Sequence, residues 1–212
     1  MEFVKENDLI AVAQLFSKEE CNKIKAIADS WPKGPAKVYK NSLSDSKEDI
    51  TSRKGTVALI SNANSDYKVW FESVYHLRVV NAVAQYIKRH PIEVDLTQVN
   101  YQYTIYDKPK DKFNLHSDLS CNSSGFRLYK EGVHRKLSIS IELDDPTTYE
   151  GATLYVETDN ATPRGSRPSL VRFSRAQGTA LFFPSYVNHE VSELTSGVRR
   201  SMVVWFNGPW WK

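Results

Sequence analysis

The chain has 212 residues, 41% of them hydrophobic and 25% charged, and a chain of this length buries about 70% of its extended surface on folding. These fractions exclude collagen-like, disulfide-scaffold and wholly disordered classes. Twenty-eight Lys and Arg against 25 Asp and Glu leave +3, too small a balance to argue for nucleic acid or an anionic membrane as partner. One domain over 1–212 is expected, with 1–94 as helical support and lid region and 95–209 as a β-core.

The two cysteines, Cys21 and Cys121, form no CxxC, so neither a disulfide framework nor a cysteine metal site is indicated. The first eight residues carry acids where a signal peptide needs a basic region, and no apolar run approaches the ~18 residues of a membrane span. A cytoplasmic protein without membrane contact is expected. The sequons at Asn122 and Asn160 are then chance.

In chain order, Ser17-Lys18-Glu19-Glu20 matches a capping box that opens a helix toward Trp31, and Pro32 to Pro35 end it. The stretch 41–55 is polar and predicts a surface loop not held by the core, a candidate lid. A second helical region spans about 65–89, with Val69, Trp70, Val74, Leu77, Val80, Ala84 and Ile87 at three- and four-residue steps. From Asp95 onward, short runs rich in Val, Ile, Thr, Tyr and Phe alternate with turn clusters. They predict eight strands, near 96–106, 113–119, 135–143, 152–158, 168–173, 178–183, 187–193 and 198–207, and hence a mainly β jelly roll with the helices packed outside it. The segment 107–112 is a second candidate for movement.

Chemistry concentrates in the β region. His116 and Asp118 lie two apart on a predicted strand, so both side chains reach one side of it. His189 lies near the other end of the region. Two imidazoles and a carboxylate form the facial set used by non-haem Fe(II), leaving positions for a co-substrate and O2. Ten residues past His189, alternation puts Arg199, Ser201, Val203 and Trp205 on one face, and an inward guanidinium beside a hydroxyl suits a carboxylate. Arg200 points the other way, toward solvent. His76, His90 and His134 lack ligand spacing and read as surface or helix histidines.

The chain resembles the 2-oxoglutarate- and Fe(II)-dependent oxygenases, in their prolyl 4-hydroxylase-like branch common in bacteria and phages. The resemblance runs in order from Val99 to Pro209 through Tyr106, the Phe113-to-Asp118 stretch, the Arg135-to-Ile141 strand, Gly151, the Gly178-to-Ser185 strand, His189, Arg199-Arg200-Ser201 and Trp205. It implies a double-stranded β-helix in which His116, Asp118 and His189 hold Fe(II). It further implies that Arg199, with Ser201, meets the distal carboxylate of 2-oxoglutarate, that Tyr106 lies close to that co-substrate, and that Tyr103 faces away. The implied reaction consumes O2, releases succinate and CO2, and hydroxylates a C–H bond, foremost of a prolyl residue in a peptide or protein, with ascorbate as a reductant. Two departures stand out: the usual Gly-Gly is Gly151-Ala152, expected to sit in ordinary β conformation. Ser138, Ser140 and Glu142 occupy a face where some relatives carry a second co-substrate tyrosine.

Alternatives remain open within and beyond this class. A nucleic-acid demethylase would use the acid-free run containing Arg164, Arg167, Arg172 and Arg175, and a small-molecule hydroxylase would use the same site. A non-catalytic β-helix binding module is the third reading. Trp210 and Trp211 are expected to serve core packing.

Overall fold

The computed structural model describes residues 3–5, 10–39, 46–47, 51–60, 65–119, 134–158, 169–173 and 176–209. Cys121, both sequons, Arg164, Arg167, Arg175, Trp210, Trp211 and most of the 41–50 stretch lie outside them. No helix among the described residues is long and apolar enough to cross a membrane.

The protein is a double-stranded β-helix, with two antiparallel sheets facing each other. The larger, numbering strands in chain order, runs β1 (Val4–Lys5), β2 (Ala11–Gln14), β14 (Thr179–Pro184), β10 (His134–Glu142), β17 (Arg199–Gly208), β8 (Asp95–Tyr106), β7 (Thr56–Leu59) and β3 (Gly34–Pro35). The smaller runs β13 (Leu170–Arg172), β12 (Leu154–Glu157), β15 (His189–Val191), β9 (Lys112–His116) and β6 (Arg53–Lys54). Two ribbons complete it: β11 (Tyr149–Gly151) with β16 (Leu194–Gly197), and β4 (Val38–Tyr39) with β5 (Ser46–Lys47). The front third is therefore less helical than its sequence suggests, since β1, β2, β3 and β7 extend both edges of the main sheet. These strands have only two to four residues, too short to show a period of two.

Helix α1 (Lys18–Ala28) opens on the expected capping box. Glu20 N donates to Ser17 Oγ at 3.2 Å, and Ser17 N donates to Glu20 Oε2 at 2.8 Å. It ends three residues before Trp31, whose ring enters the core. The second helical region comprises α2 (Ser65–Phe71), a π-helical segment (Glu72–His76) and α3 (Leu77–Ile87). Its buried stripe is Phe71, Tyr75, Val79, Ala82, Val83 and Tyr86, whereas Val69, Val74 and Leu77, expected inside, are 64%, 45% and 63% exposed. The stripe that wins carries three aromatic rings, which bury more apolar area than aliphatic side chains do, and the π segment shifts the helical phase between its halves.

Both faces of the main sheet are covered. On one, Leu137, Ile139, Ile141, Met202, Val204, Phe206, Tyr101, Tyr103 and Ile105 pack with Ile24, Val79, Val83 and Tyr86 of the helices. On the other, Ile10, Val12, Leu181 and Phe183 meet Leu154, Val156 and Val191 of the smaller sheet. Cys21 is buried in the first layer, and burial pushes its thiol up to about 12, which leaves it unreactive.

Three loop expectations change. Within 41–55, the end nearest the sheet is held: Arg53 pairs with Phe113, and Asn114 N donates to Ser52 O at 2.8 Å. The 107–112 turn is tied down as well, because Asp107 N and Lys108 N donate to Asp111 Oδ2 at 3.1 and 3.0 Å while Lys110 N reaches Leu194 O at 2.9 Å. Ala152 is not in β conformation. Its φ is 41°, a left-handed value that glycine adopts without strain and alanine does not.

Among the described glycines, Gly178 (φ 84°) shows the tightest approach. A Cβ there would lie 1.9 Å from Phe16 O, whereas at Gly34 it would meet nothing within 4 Å. Gly178→Ala should therefore cost about 2–3 kcal/mol and lower the melting temperature by about 5–10 °C, with Gly34→Ala near wild type, as read by calorimetry.

Candidate metal centre and adjoining pocket

His116 ends β9, His189 begins β15, and the two are register partners across the smaller sheet. Asp118 follows β9 and is buried. One ligand atom from each of the three lies within 4.8 Å of the others, and they are the only such group among the described residues. His116 Nε2 is 3.9 Å from Asp118 Oδ1, and His189 Nε2 is 3.7 Å from Asp118 Oδ2.

The surroundings prepare these atoms for a cation. His116 Nδ1 is 2.8 Å from Asn114 O and His189 Nδ1 is 3.0 Å from Val187 O. A backbone carbonyl only accepts, so each Nδ1 carries the proton and each Nε2 turns a lone pair to the shared point. Burial, and then the neighbouring His189, push His116 well below its ordinary pKa, which keeps it neutral. Burial alone would raise Asp118, but His189, Arg135, His116 and the hydroxyl of Ser138 outweigh it and hold the carboxyl at about 2. Ser138 Oγ donates to Asp118 Oδ2 at 2.6 Å and is itself 2.9 Å from Ser185 Oγ. Phe113 stacks on His116 with ring centroids 3.5 Å apart, and the Arg53 guanidinium lies 4.4 Å from the Phe113 ring centre.

A pocket opens beside the triad, and the register of the main sheet decides its lining. Arg199 is opposite Tyr106, Ser201 opposite Thr104 and Val203 opposite Gln102 on one side of β17. On its other side Ser201 is opposite Glu142, Val203 opposite Ser140 and Trp205 opposite Ser138. Arg199, Ser201, Val203, Trp205, Tyr106, Thr104, Gln102 and Ser140 accordingly line one cavity with all three members of the triad, and Arg53 joins from β6. Tyr103 faces the opposite way, where its hydroxyl donates to Asp29 Oδ1 at 2.9 Å.

Arg199 is 1% exposed, and its Nε donates to Glu142 Oε2 at 2.9 Å while Nη2 donates to Glu142 Oε1. Burial would lower its pKa, but Glu142 reverses the direction and the guanidinium stays charged. Arg200 does leave the pocket, though not for open solvent. Its backbone N donates to Asp144 Oδ2 at 2.7 Å, and its guanidinium is 3.5 Å from Asp29 Oδ2. Of the other histidines, His90 and His134 are buried rather than superficial, and His76 is 2.7 Å from Tyr101 Oη. None of them joins the triad.

Sequence reasoning missed Arg53, Gln102, Thr104, Arg135 and the pairing role of Glu142. Gln102, Thr104 and Tyr106 did carry a signal, since polar groups at alternate positions of an otherwise apolar strand mark a face with polar partners. Arg135 carried none. A register shift between Arg135 and Leu137 places its guanidinium 3.9 Å from the Trp205 ring centre and 3.9 Å from Asp118 Oδ1.

A double-stranded β-helix bearing a His, Asp, His triad beside an arginine-floored pocket defines a non-haem metal oxygenase architecture. Residues 101–207 match the 2OG-Fe(II) oxygenase superfamily, and the chain belongs to it. Over 85 residues, 40% of this chain, it is 38% identical to a PKHD-type hydroxylase of Sphingopyxis alaskensis, and the match spans 35% of that relative's length. The fold is similar to a Pseudomonas putida prolyl-4-hydroxylase at TM-score 0.59 and 13% identity, covering 96% of this chain and 95% of that one. It is similar, at TM-score 0.62 and 11% identity, to a Trichoplax adhaerens prolyl hydroxylase in complex with a hypoxia inducible factor oxygen degradation domain peptide fragment, covering 94% and 84%.

Membership implies Fe(II), 2-oxoglutarate and O2, and the donor set fits the metal: two imidazole nitrogens and an ionised carboxylate meet at one point with their outer atoms hydrogen-bonded. Ser138→Ala should weaken Mn(II) binding about tenfold or more while leaving the melting temperature within a few degrees, as measured by electron paramagnetic resonance titration.

Proposed function

We propose that the protein is an Fe(II)- and 2-oxoglutarate-dependent dioxygenase that hydroxylates a C–H bond, foremost of a prolyl residue in a peptide or protein. The observation that carries this reading is the convergence of two Nε2 lone pairs and the Asp118 carboxylate at the wall of a pocket that also holds the Arg199 guanidinium. His116, Asp118 and His189 would hold Fe(II), which supplies the oxidising chemistry with 2-oxoglutarate and O2. Arg199 and Ser201 would bind the distal carboxylate, and Tyr106, buried beside Arg199, would border the co-substrate. Each turnover consumes one 2-oxoglutarate and one O2 and yields succinate, CO2 and the hydroxylated product.

A peptide substrate is supported by the aromatic wall of the pocket: Trp205 lines it, with the Arg135 guanidinium 3.9 Å from its ring centre, and such a ring packs against an apolar prolyl side chain. Of the four arginines that would favour a nucleic acid, only Arg172 is among the described residues, and it does not line the pocket. The lid role of 41–55 is proposed for the segment leading to Arg53, which reaches the pocket. Cytoplasmic placement is proposed with it.

Arg199→Ala should raise the 2-oxoglutarate requirement at least about 30-fold, because one partner of a desolvated charge pair is removed, whereas Arg200→Ala, tied to Asp144 and Asp29, should stay within a few-fold. Equal effects in steady-state succinate assays would contradict the roles assigned to the two residues.

The direct test is succinate formation from Fe(II), 2-oxoglutarate and O2 with ascorbate as reductant and proline-containing peptides as substrates. Peptide-dependent succinate and a peptide 16 Da heavier are expected. Trp205→Ala, which removes the aromatic wall, should raise the peptide KM several-fold while uncoupled decarboxylation persists. If no proline peptide lifts succinate above background while a small molecule or methylated oligonucleotide does, the prolyl reading falls; if nothing does and no 2-oxoglutarate binds, the binding-module reading takes its place.

A further inference from the structure

Among the described residues, Glu142 is the one acidic group in direct contact with the proposed anion site, and its position is unusual for a pocket meant to receive a dicarboxylate. It does not line the cavity, yet it grips Arg199 from behind, taking Nε and one Nη2 proton. A guanidinium has five N–H groups, so three remain along the Nη1 and Nη2 end. Arg199 itself lines the cavity, and that end is the part of it not engaged by Glu142. The fully buried pair has no net charge before any ligand enters.

We propose that Glu142 is a positioning residue that orients Arg199 end-on toward the pocket and, through its like charge, weakens the hold on any distal carboxylate. This rests on the reading that 2-oxoglutarate occupies the pocket. Glu142 and the ligand would share one guanidinium from two edges, so the Arg199 end of the occupied site carries a surplus negative charge in a region that water does not screen. Ser201, opposite Glu142 across the strand pair, and Thr104 and Gln102 beside it offer neutral dipoles, and the other cation of the cavity lining, Arg53, lies over the Phe113 ring beside the triad. The surplus acts equally on 2-oxoglutarate and on succinate, since both present the same distal carboxylate. A tempered grip therefore speeds succinate release after turnover, at the cost of the same factor in 2-oxoglutarate affinity.

The test measures binding by titration calorimetry on the Mn(II)-loaded protein, with no turnover. Glu142→Gln should keep a neutral acceptor against Arg199 and tighten 2-oxoglutarate and succinate together, by about tenfold, whereas Glu142→Asp, which retains the charge, should show no tightening. A role confined to holding the fold predicts a lower melting temperature with unchanged or weaker binding in both variants, and that result would overturn the proposal. The wild type supplies an independent arm should Glu142→Gln not fold. Replacing the distal carboxylate by a carboxamide, in 2-oxoglutaramate, should cost less than about tenfold in affinity against a pre-neutralised Arg199, and a loss beyond about 100-fold would refute it. A wild type that binds Mn(II) but no 2-oxoglutarate would instead sink the co-substrate reading beneath it.

Discussion

The site depends on the pairing register of β17. Its side chains alternate, so one set, Arg199, Ser201, Val203 and Trp205, faces the pocket while Arg200, Met202, Val204 and Phe206 face the helices or their flanking carboxylates. A slip of one residue against β8 or β10 would drive Arg199 into the apolar layer and Phe206 into the cavity. The helix layer prevents this, because Met202, Val204 and Phe206 must meet Ile139, Ile141, Tyr101 and Tyr103. Apolar packing on one side of the sheet thereby aims the polar groups on the other.

Charge burial imposes a second demand. Arg199 lies among the least exposed side chains of the molecule, and an unpaired guanidinium there would be prohibitively destabilising. Glu142, on the neighbouring strand, removes that cost before any ligand arrives. The triad follows the same logic with smaller charges: His116 is held neutral by burial and by the neighbouring His189, both imidazoles are oriented by backbone carbonyls, and one carboxylate is held ionised by its neighbours and Ser138. Such sites are preorganised, since the groups that would bind are already oriented by partners that do not line the cavity.

The two sheets divide the labour. Two of the three members of the triad come from paired positions of the smaller sheet, His116 opposite His189, while the pocket floor comes from β8, β10 and β17 of the larger. Arg53 belongs to neither centre by sequence. Its strand, β6, is attached to β9 by two residue pairs, and this brings a cation over Phe113 and next to the triad. A polar stretch read as loop thus ends as a wall of the cavity.

By itself, the sequence determined the triad through its ordered resemblance from Val99 to Pro209, with Asp118 in fact lying just beyond β9, and the fold class and the face of β17 through a short-range rule, the alternation of side chains along a strand. The capping box at Ser17 was legible for the same reason. Only the tertiary structure decided what lies opposite what. It chose the aromatic stripe of the second helical region over the aliphatic one and pulled four short front segments into the main sheet. It also turned Arg200 onto Asp144 and Asp29, set Ala152 at a left-handed φ, and placed Glu142 against Arg199. Those outcomes depend on contacts between segments distant in the chain, such as Glu142 with Arg199, 57 residues apart, and Asp29 with Arg200, 171 apart, and no local pattern encodes the energy of burying one charge against another across a strand pair.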